Sequence, residues 1–140
     1  LENAATEYGW QIIWREILPD EFPLLRDFLR QKADENQVDI LLSTGGTGFA
    51  PRDITPEATL SIIERLTPGL PEAMRAESLK ITPHAMLSRG VAGIRKQTLI
   101  INLPGSPKAA VEQLAVIAPA LPHAVQLMQD SPLAEKGHIP

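Results

Sequence analysis

The stretch that most constrains this chain runs from Val38 to Thr59. Val38 to Ser43 is a short apolar run with polar flanks, the pattern of a strand buried on both faces in a parallel sheet. Behind it come Thr44-Gly-Gly-Thr-Gly48, then Arg52-Asp53, then Thr55-Pro56-Glu57-Ala58. A strand therefore delivers a glycine-rich turn and then a helix, with Thr55 as the predicted N-cap and proline in the first turn. Such a turn presents backbone N–H groups with no side chains in the way, a nest for an anion such as phosphate. Arg52 can neutralise phosphate charge at its lip, and Asp53 can hold a hard metal ion. Glycine clusters behind strands also serve as plain turns. The segment is not a P-loop, because no lysine follows the glycines. It is not a dinucleotide fingerprint either, because Pro51 stands where a third small residue belongs.

The rest of the composition narrows the classes. A length of 140 residues predicts one domain, able to bury roughly two-thirds of its unfolded surface. With two Trp, one Tyr and three Phe, the core must be aliphatic. A net charge of −4 leaves no basic stripe and argues against nucleic acid as the main partner. The absence of cysteine excludes disulfides, thiolate catalysis and Cys-zinc sites. Apolar runs fall far short of the ~20 residues of a membrane span, and a cytoplasmic enzyme is the default expectation. Leu1, Ala4, Ala5 and Tyr8 fall at helical spacing, so the sequence is expected to open inside a helix, with something upstream removed or not shown.

Trp10 to Ile17 alternates loosely and reads as a strand, ended by Leu18-Pro19-Asp20. Phe22, Leu25, Phe28 and Leu29 mark one face of a helix running to about Asp34. Ile62, Ile63 and Leu66 are the expected buried side of the helix that starts at Thr55; Thr67-Pro68-Gly69 breaks it, and Leu70 to Leu79 resumes in helix. Gly90 to Arg95 and Thr98 to Leu103 read as a hairpin, and Pro104-Gly-Ser-Pro-Lys108 as a second loop leaving a strand. Ala109 to Ala118 and His123 to Met128 are the closing helices, with residues 131–140 a tail behind a domain over residues 1–130. The fold class is α/β, a three-layer sandwich with a mostly parallel central sheet. In such a sheet ligands sit beyond the carboxyl ends of the strands, so the loops at Pro19-Asp20, Thr44 to Asp53 and Asn102 to Lys108 are expected on one cleft.

Thr44-Gly-Gly-Thr-Gly48 with Pro51-Arg-Asp-Ile-Thr-Pro-Glu-Ala-Thr59 resembles the signature of the MogA/MoaB family of molybdenum-cofactor biosynthesis proteins, which includes the G domains of gephyrin and its plant counterpart. Further matches follow in the family's order: Pro68-Gly-Leu, Glu72-Ala-Met-Arg75, Thr82-Pro-His-Ala-Met-Leu-Ser-Arg89, Gly93-Ile-Arg95 and Leu99-Ile-Ile-Asn-Leu-Pro-Gly-Ser-Pro-Lys108. The resemblance covers about Leu1 to Asp130. It implies a homotrimeric α/β protein that binds molybdopterin. Adenylyltransferase members join AMP from Mg²⁺-ATP to the terminal phosphate of molybdopterin and release pyrophosphate, and the product passes to a molybdate-inserting enzyme. A MoaB-like protein with the same pocket and no adenylylating activity is the alternative. Family members open with a strand carrying Ser-Asp-Arg and a glycine-rich loop, which this sequence lacks, so the N-terminal strand is expected to be missing.

The resemblance also assigns roles. Asp20 and Asp53 match the family's two functional aspartates, as organisers of Mg²⁺ and phosphate. Their plainer roles would be a helix N-cap for Asp20 and an ion pair with Arg52 for Asp53. Thr44, Gly45, Gly46, Thr47, Gly48 and Arg52, with Pro104, Gly105, Ser106 and Lys108, fall on the phosphate and nucleotide side. Ser78, Ser88, Arg89 and Asn102 fall on the molybdopterin side. As isolated residues the serines and Arg89 would be caps or surface groups, and Asn102 a turn former. Glu57 reads as a first-turn acid favoured by the helix dipole. His84, His123 and His138 are scattered and form no metal triad, and Met74, Met86 and Met128 read as core or subunit contacts.

Overall fold

A computed structural model describes residues 1–130; the expected tail and His138 lie outside the described residues. The elements are α1 (Glu2–Glu7), α2 (Phe22–Asp34), β1 (Ile40–Thr44), α3 (Thr55–Leu60), β2 (Arg65–Leu66), α4 (Gly69–Leu79), β3 (Ala92–Arg95), β4 (Thr98–Leu103), α5 (Pro107–Ile117) and α6 (Leu121–Met128). Short 3₁₀ turns at Pro83–Leu87 and Ala118–Ala120 join α4 to β3 and α5 to α6. The sheet order is β1-β4-β3-β2.

The α/β class and its layering are as expected, but the pairing differs from it. β1 and β4 are parallel, with Ser43 opposite Asn102, while β3 pairs antiparallel with both β4 and β2. The described sheet is therefore mixed rather than mostly parallel, because the hairpin across Lys96-Gln97 reverses the chain. Every residue of β4 is buried. On one face Leu99, Ile101 and Leu103 pack with Met74, Leu114, Ile117 and Leu121; on the other Ile100 packs with Leu25, Leu29, Ala58 and Ile62. The strand's two-residue period thus feeds two cores, one under α4, α5 and α6 and one under α2 and α3.

Trp10 to Ile17 forms neither helix nor strand and carries no strand ladder among the described residues. Trp10 packs on the first core and Trp14 on the second, while Ile17 is 95% exposed. Alternation reports which side chains are apolar; it cannot supply a neighbouring strand. The helix from Thr55 also ends earlier than its periodicity suggests. It stops at Leu60, and Leu66 lies exposed in the edge strand β2. Thr55 is the first helical residue, buried, and Ile54 takes the N-cap position with no side-chain cap.

Candidate functional site

β1 and β4 run in the same direction, so their carboxyl ends open side by side. Gly45 N–H donates to Leu103 O at 3.0 Å, and Thr44 Oγ1 to Pro104 O at 2.8 Å. The second glycine loop presses against the first: a Cβ at Gly105 would stand 3.4 Å from Gly45 Cα. The third loop arrives from before α2, where a Cβ at Gly46 would stand 3.5 Å from Asp20 Oδ1. The three loops expected at one cleft are brought together.

The glycine loop turns through two left-handed residues, Gly45 at φ 99° and Gly46 at φ 67°. Its carbonyls are engaged inward: Gly46 O accepts from Thr55 N–H, and Thr47 O from Arg89 N–H. By contrast, the N–H groups of Gly46, Thr47, Gly48 and Phe49 donate to no protein atom among the described residues. Four unspent donors on one glycine-rich turn are the kind of array that can take up an anion. Two carboxylates flank it. A Cβ at Gly48 would stand 2.8 Å from Asp53 Oδ2, which accepts from Ala50 N–H at 3.0 Å. Asp53 makes no ion pair with Arg52, and Asp20 neither caps α2, whose N-cap is Glu21, nor accepts a hydrogen bond within the described residues. Both plainer roles are absent, and Arg52 stands exposed at the lip.

Around the glycine loop, the remaining candidates separate. Ser106 Oγ caps α5 by accepting from Ala109 N–H, and Lys108 extends into solvent toward Glu112, 3.8 Å away. Ser88 Oγ lies 3.6 Å from where a Cβ at Gly90 would be, close to Asn102. Ser78 sits in the last turn of α4, accepting from Gln113 Nε2 at 3.1 Å. Asn102 is 2% exposed. Its Oδ1 accepts from Val91 N–H, and its Nδ2 donates to Ser43 Oγ and Thr59 Oγ1. It is neither a turn former nor open to a ligand; it ties β1, β4 and α3 together directly below the glycine loop.

Arg89 faces the loop as well. Its Nε donates to Gly48 O at 2.8 Å and its Nη2 to Asp53 O at 2.6 Å, while Nη1 pairs with Glu57. That pairing holds the Glu57 carboxyl below its ordinary range and raises Arg89 further. Glu57 is thus more than a dipole acid, a role no local pattern signals because its partner is 32 residues away.

An α/β sheet with free backbone N–H groups at the carboxyl end of its parallel pair, flanked by two carboxylates, has the layout in which open α/β folds seat their ligands. Residues 1–123 match the family described as "Probable molybdopterin binding domain", and the chain belongs to it. It is 50% identical over 113 residues to "Molybdopterin adenylyltransferase" of Helicobacter pylori, covering 81% of this chain and 64% of that protein. It is also 50% identical over 117 residues to "Gephyrin" of Dictyostelium discoideum, covering 84% of this chain and 16% of that one. The chain spans less than two-thirds of these curated relatives. Among solved structures, the molybdopterin biosynthesis enzyme MoaB of Thermus thermophilus superposes with a TM-score of 0.84 at 48% identity, covering 94% of this chain and 85% of that one. Among the described residues no helix is long and apolar enough to cross a membrane.

Proposed function

We propose that this domain is a molybdopterin adenylyltransferase, acting as a cytoplasmic homotrimer that transfers AMP from ATP to the molybdopterin phosphate. The four unspent N–H groups between two carboxylates carry the reading, with support from adenylyltransferase relatives at 42–50% identity. In the proposed reaction the terminal phosphate oxygen of molybdopterin forms a bond to the α-phosphorus of ATP while the bond to pyrophosphate breaks. Such a transfer asks the protein mainly for positioning and charge neutralisation.

Thr44 to Gly48, with Pro104 and Gly105, would hold phosphate through backbone groups, and Arg52 would neutralise charge at the rim. Ser88 would face the pterin side, with Ser78 further along it. Asp20 and Asp53 fit Mg²⁺, a hard ion that takes one or two carboxylates and completes its shell with phosphate oxygens. Among the described residues neither carboxylate is consumed by an ion pair, and each lies beside a loop glycine. Bound there, Mg²⁺ would supply further neutralisation of phosphate charge.

The test is incubation with molybdopterin and Mg²⁺-ATP, following pyrophosphate and adenylylated pterin. Product from wild type that vanishes in Asp53→Ala and Asp20→Ala, with sedimentation unchanged, supports the transferase. Pterin binding without product would leave a MoaB-like binding protein and remove the enzyme. A monomeric sedimentation coefficient would remove the trimer.

A further inference from the structure

The guanidinium of Arg89 offers four nitrogen-to-oxygen contacts to its own protein: Gly48 O, Asp53 O and both oxygens of Glu57. The two carbonyls stand at opposite ends of the segment bearing Phe49, Ala50, Pro51 and Arg52. One planar fork therefore closes the far half of the loop, and its rigid geometry suits two acceptors at once. The fork is itself fixed from both sides. Glu57, in the first turn of α3, pairs with it. Arg75, on α4, donates to Gly90 O at 2.9 Å and Ser88 O at 3.4 Å and so holds the backbone on which Arg89 sits. A continuous polar path leads from α4 through residues 88–90 to the glycine loop and on to α3.

We propose that Arg89, held by Glu57, is a positioning residue that fixes the loop from Gly48 to Asp53, rather than a group that touches the pterin. Closing the loop sets where the Asp53 carboxylate stands relative to the unspent N–H groups. Without the fork, Gly48 O and Asp53 O lose their partner, and the segment between them is free to drift. The pair is also neutral overall, so the clamp adds no charge that would compete with Arg52 for phosphate. In its kinetic consequences this inference rests on the transferase reading; in its structural consequence it does not.

The test has two arms on the whole chain. Hydrogen exchange followed residue by residue reads the free protein: Arg89→Ala and Glu57→Gln should each speed exchange about tenfold at the two hydrogen-bonded loop amides, Ala50 and Asp53, and leave β4 protected. The double variant should match Arg89→Ala, because the two residues act as one unit. In the kinetic arm both variants should lower kcat about tenfold, raise the Mg²⁺ concentration needed for half-maximal rate, and leave KM for molybdopterin unchanged. Unchanged loop exchange in Glu57→Gln overturns the inference. So does a higher molybdopterin KM in Arg89→Ala with kcat intact and Glu57→Gln normal, since Arg89 would then be a ligand. If Arg89→Ala does not fold, the near-isosteric Glu57→Gln still decides. A wild type without transferase activity removes the function reading, and the exchange arm still decides the clamp.

Discussion

Gly46 meets two constraints at once. Its φ of 67° is a region L side chains rarely enter, and a Cβ there would overlap Thr55 Oγ1. Thr55 is only 3% exposed and opens α3, so it has no room to retreat. Gly46→Ala should therefore lose about 2–4 kcal/mol, combining left-handed strain with overpacking. Gly69 is the opposite case. It is the first residue of α4, with nothing within 4 Å of an added Cβ. Gly69→Ala should gain about 0.4–1 kcal/mol by restricting the unfolded chain. Urea unfolding of both variants checks the pair; a Gly46→Ala protein as stable as wild type would mean the loop relaxes freely and is not preformed.

At the scale of elements, α2 and β3 are joined by a charge. Arg95, closing β3, donates through Nε to Asp34 Oδ1 at 2.8 Å and through Nη1 to Ile62 O at 2.9 Å, and Asp34 ends α2. The Arg95 hydrogen bond lowers the Asp34 carboxyl below its ordinary 3.8. A carboxyl that titrates lower when folded contributes stability above its unfolded value and loses it as pH falls through the folded one. Asp34→Asn should melt below wild type at pH 7, and the gap should close as pH drops below about 3.8. Thermal melts across pH 2–7 read it, and a gap that persists at the acid end would assign the loss to packing. The same elements show what a sequence reveals. α2 was legible, with its end expected at about Asp34, because apolar spacing and punctuation act locally. The glycine loop was legible because its turn is built from consecutive residues. Trp10 to Ile17 misled because a ladder needs a second strand. Ile62 and Leu66 fit helical spacing, yet the helix had ended at Leu60. Asn102 stood out as a polar residue closing an apolar strand, but Ser43 and Thr59 lie 59 and 43 residues away. Glu57 and Arg89 are hidden in the same way.

The described residues build two cores divided by one sheet, and β4 belongs to both. Leu99, Ile101 and Leu103 face one core and Ile100 the other. A strand cannot leave one core and stay in the other, so neither side should unfold alone. The chain carries a reporter for each: Trp10 packs on the first core, and Trp14 on the second, edge-on to Phe28 at 5.5 Å between ring centroids. Trp10→Phe leaves fluorescence from the second core, and Trp14→Phe leaves it from the first. In each single-tryptophan variant the fluorescence midpoint in urea should coincide with its own midpoint by far-UV circular dichroism, as two-state unfolding requires. A fluorescence midpoint displaced from the dichroism midpoint in either variant would mean that β4 does not couple the layers. The glycine loop would then be held by the parallel pair β1 and β4 and the α3 side alone, and mutations under α5 would leave it intact. Coincidence carries the opposite consequence: truncating Leu114, 0% exposed on the inner face of α5, to alanine should lower the stability of the glycine loop by the same ~2–5 kcal/mol as that of the entire fold.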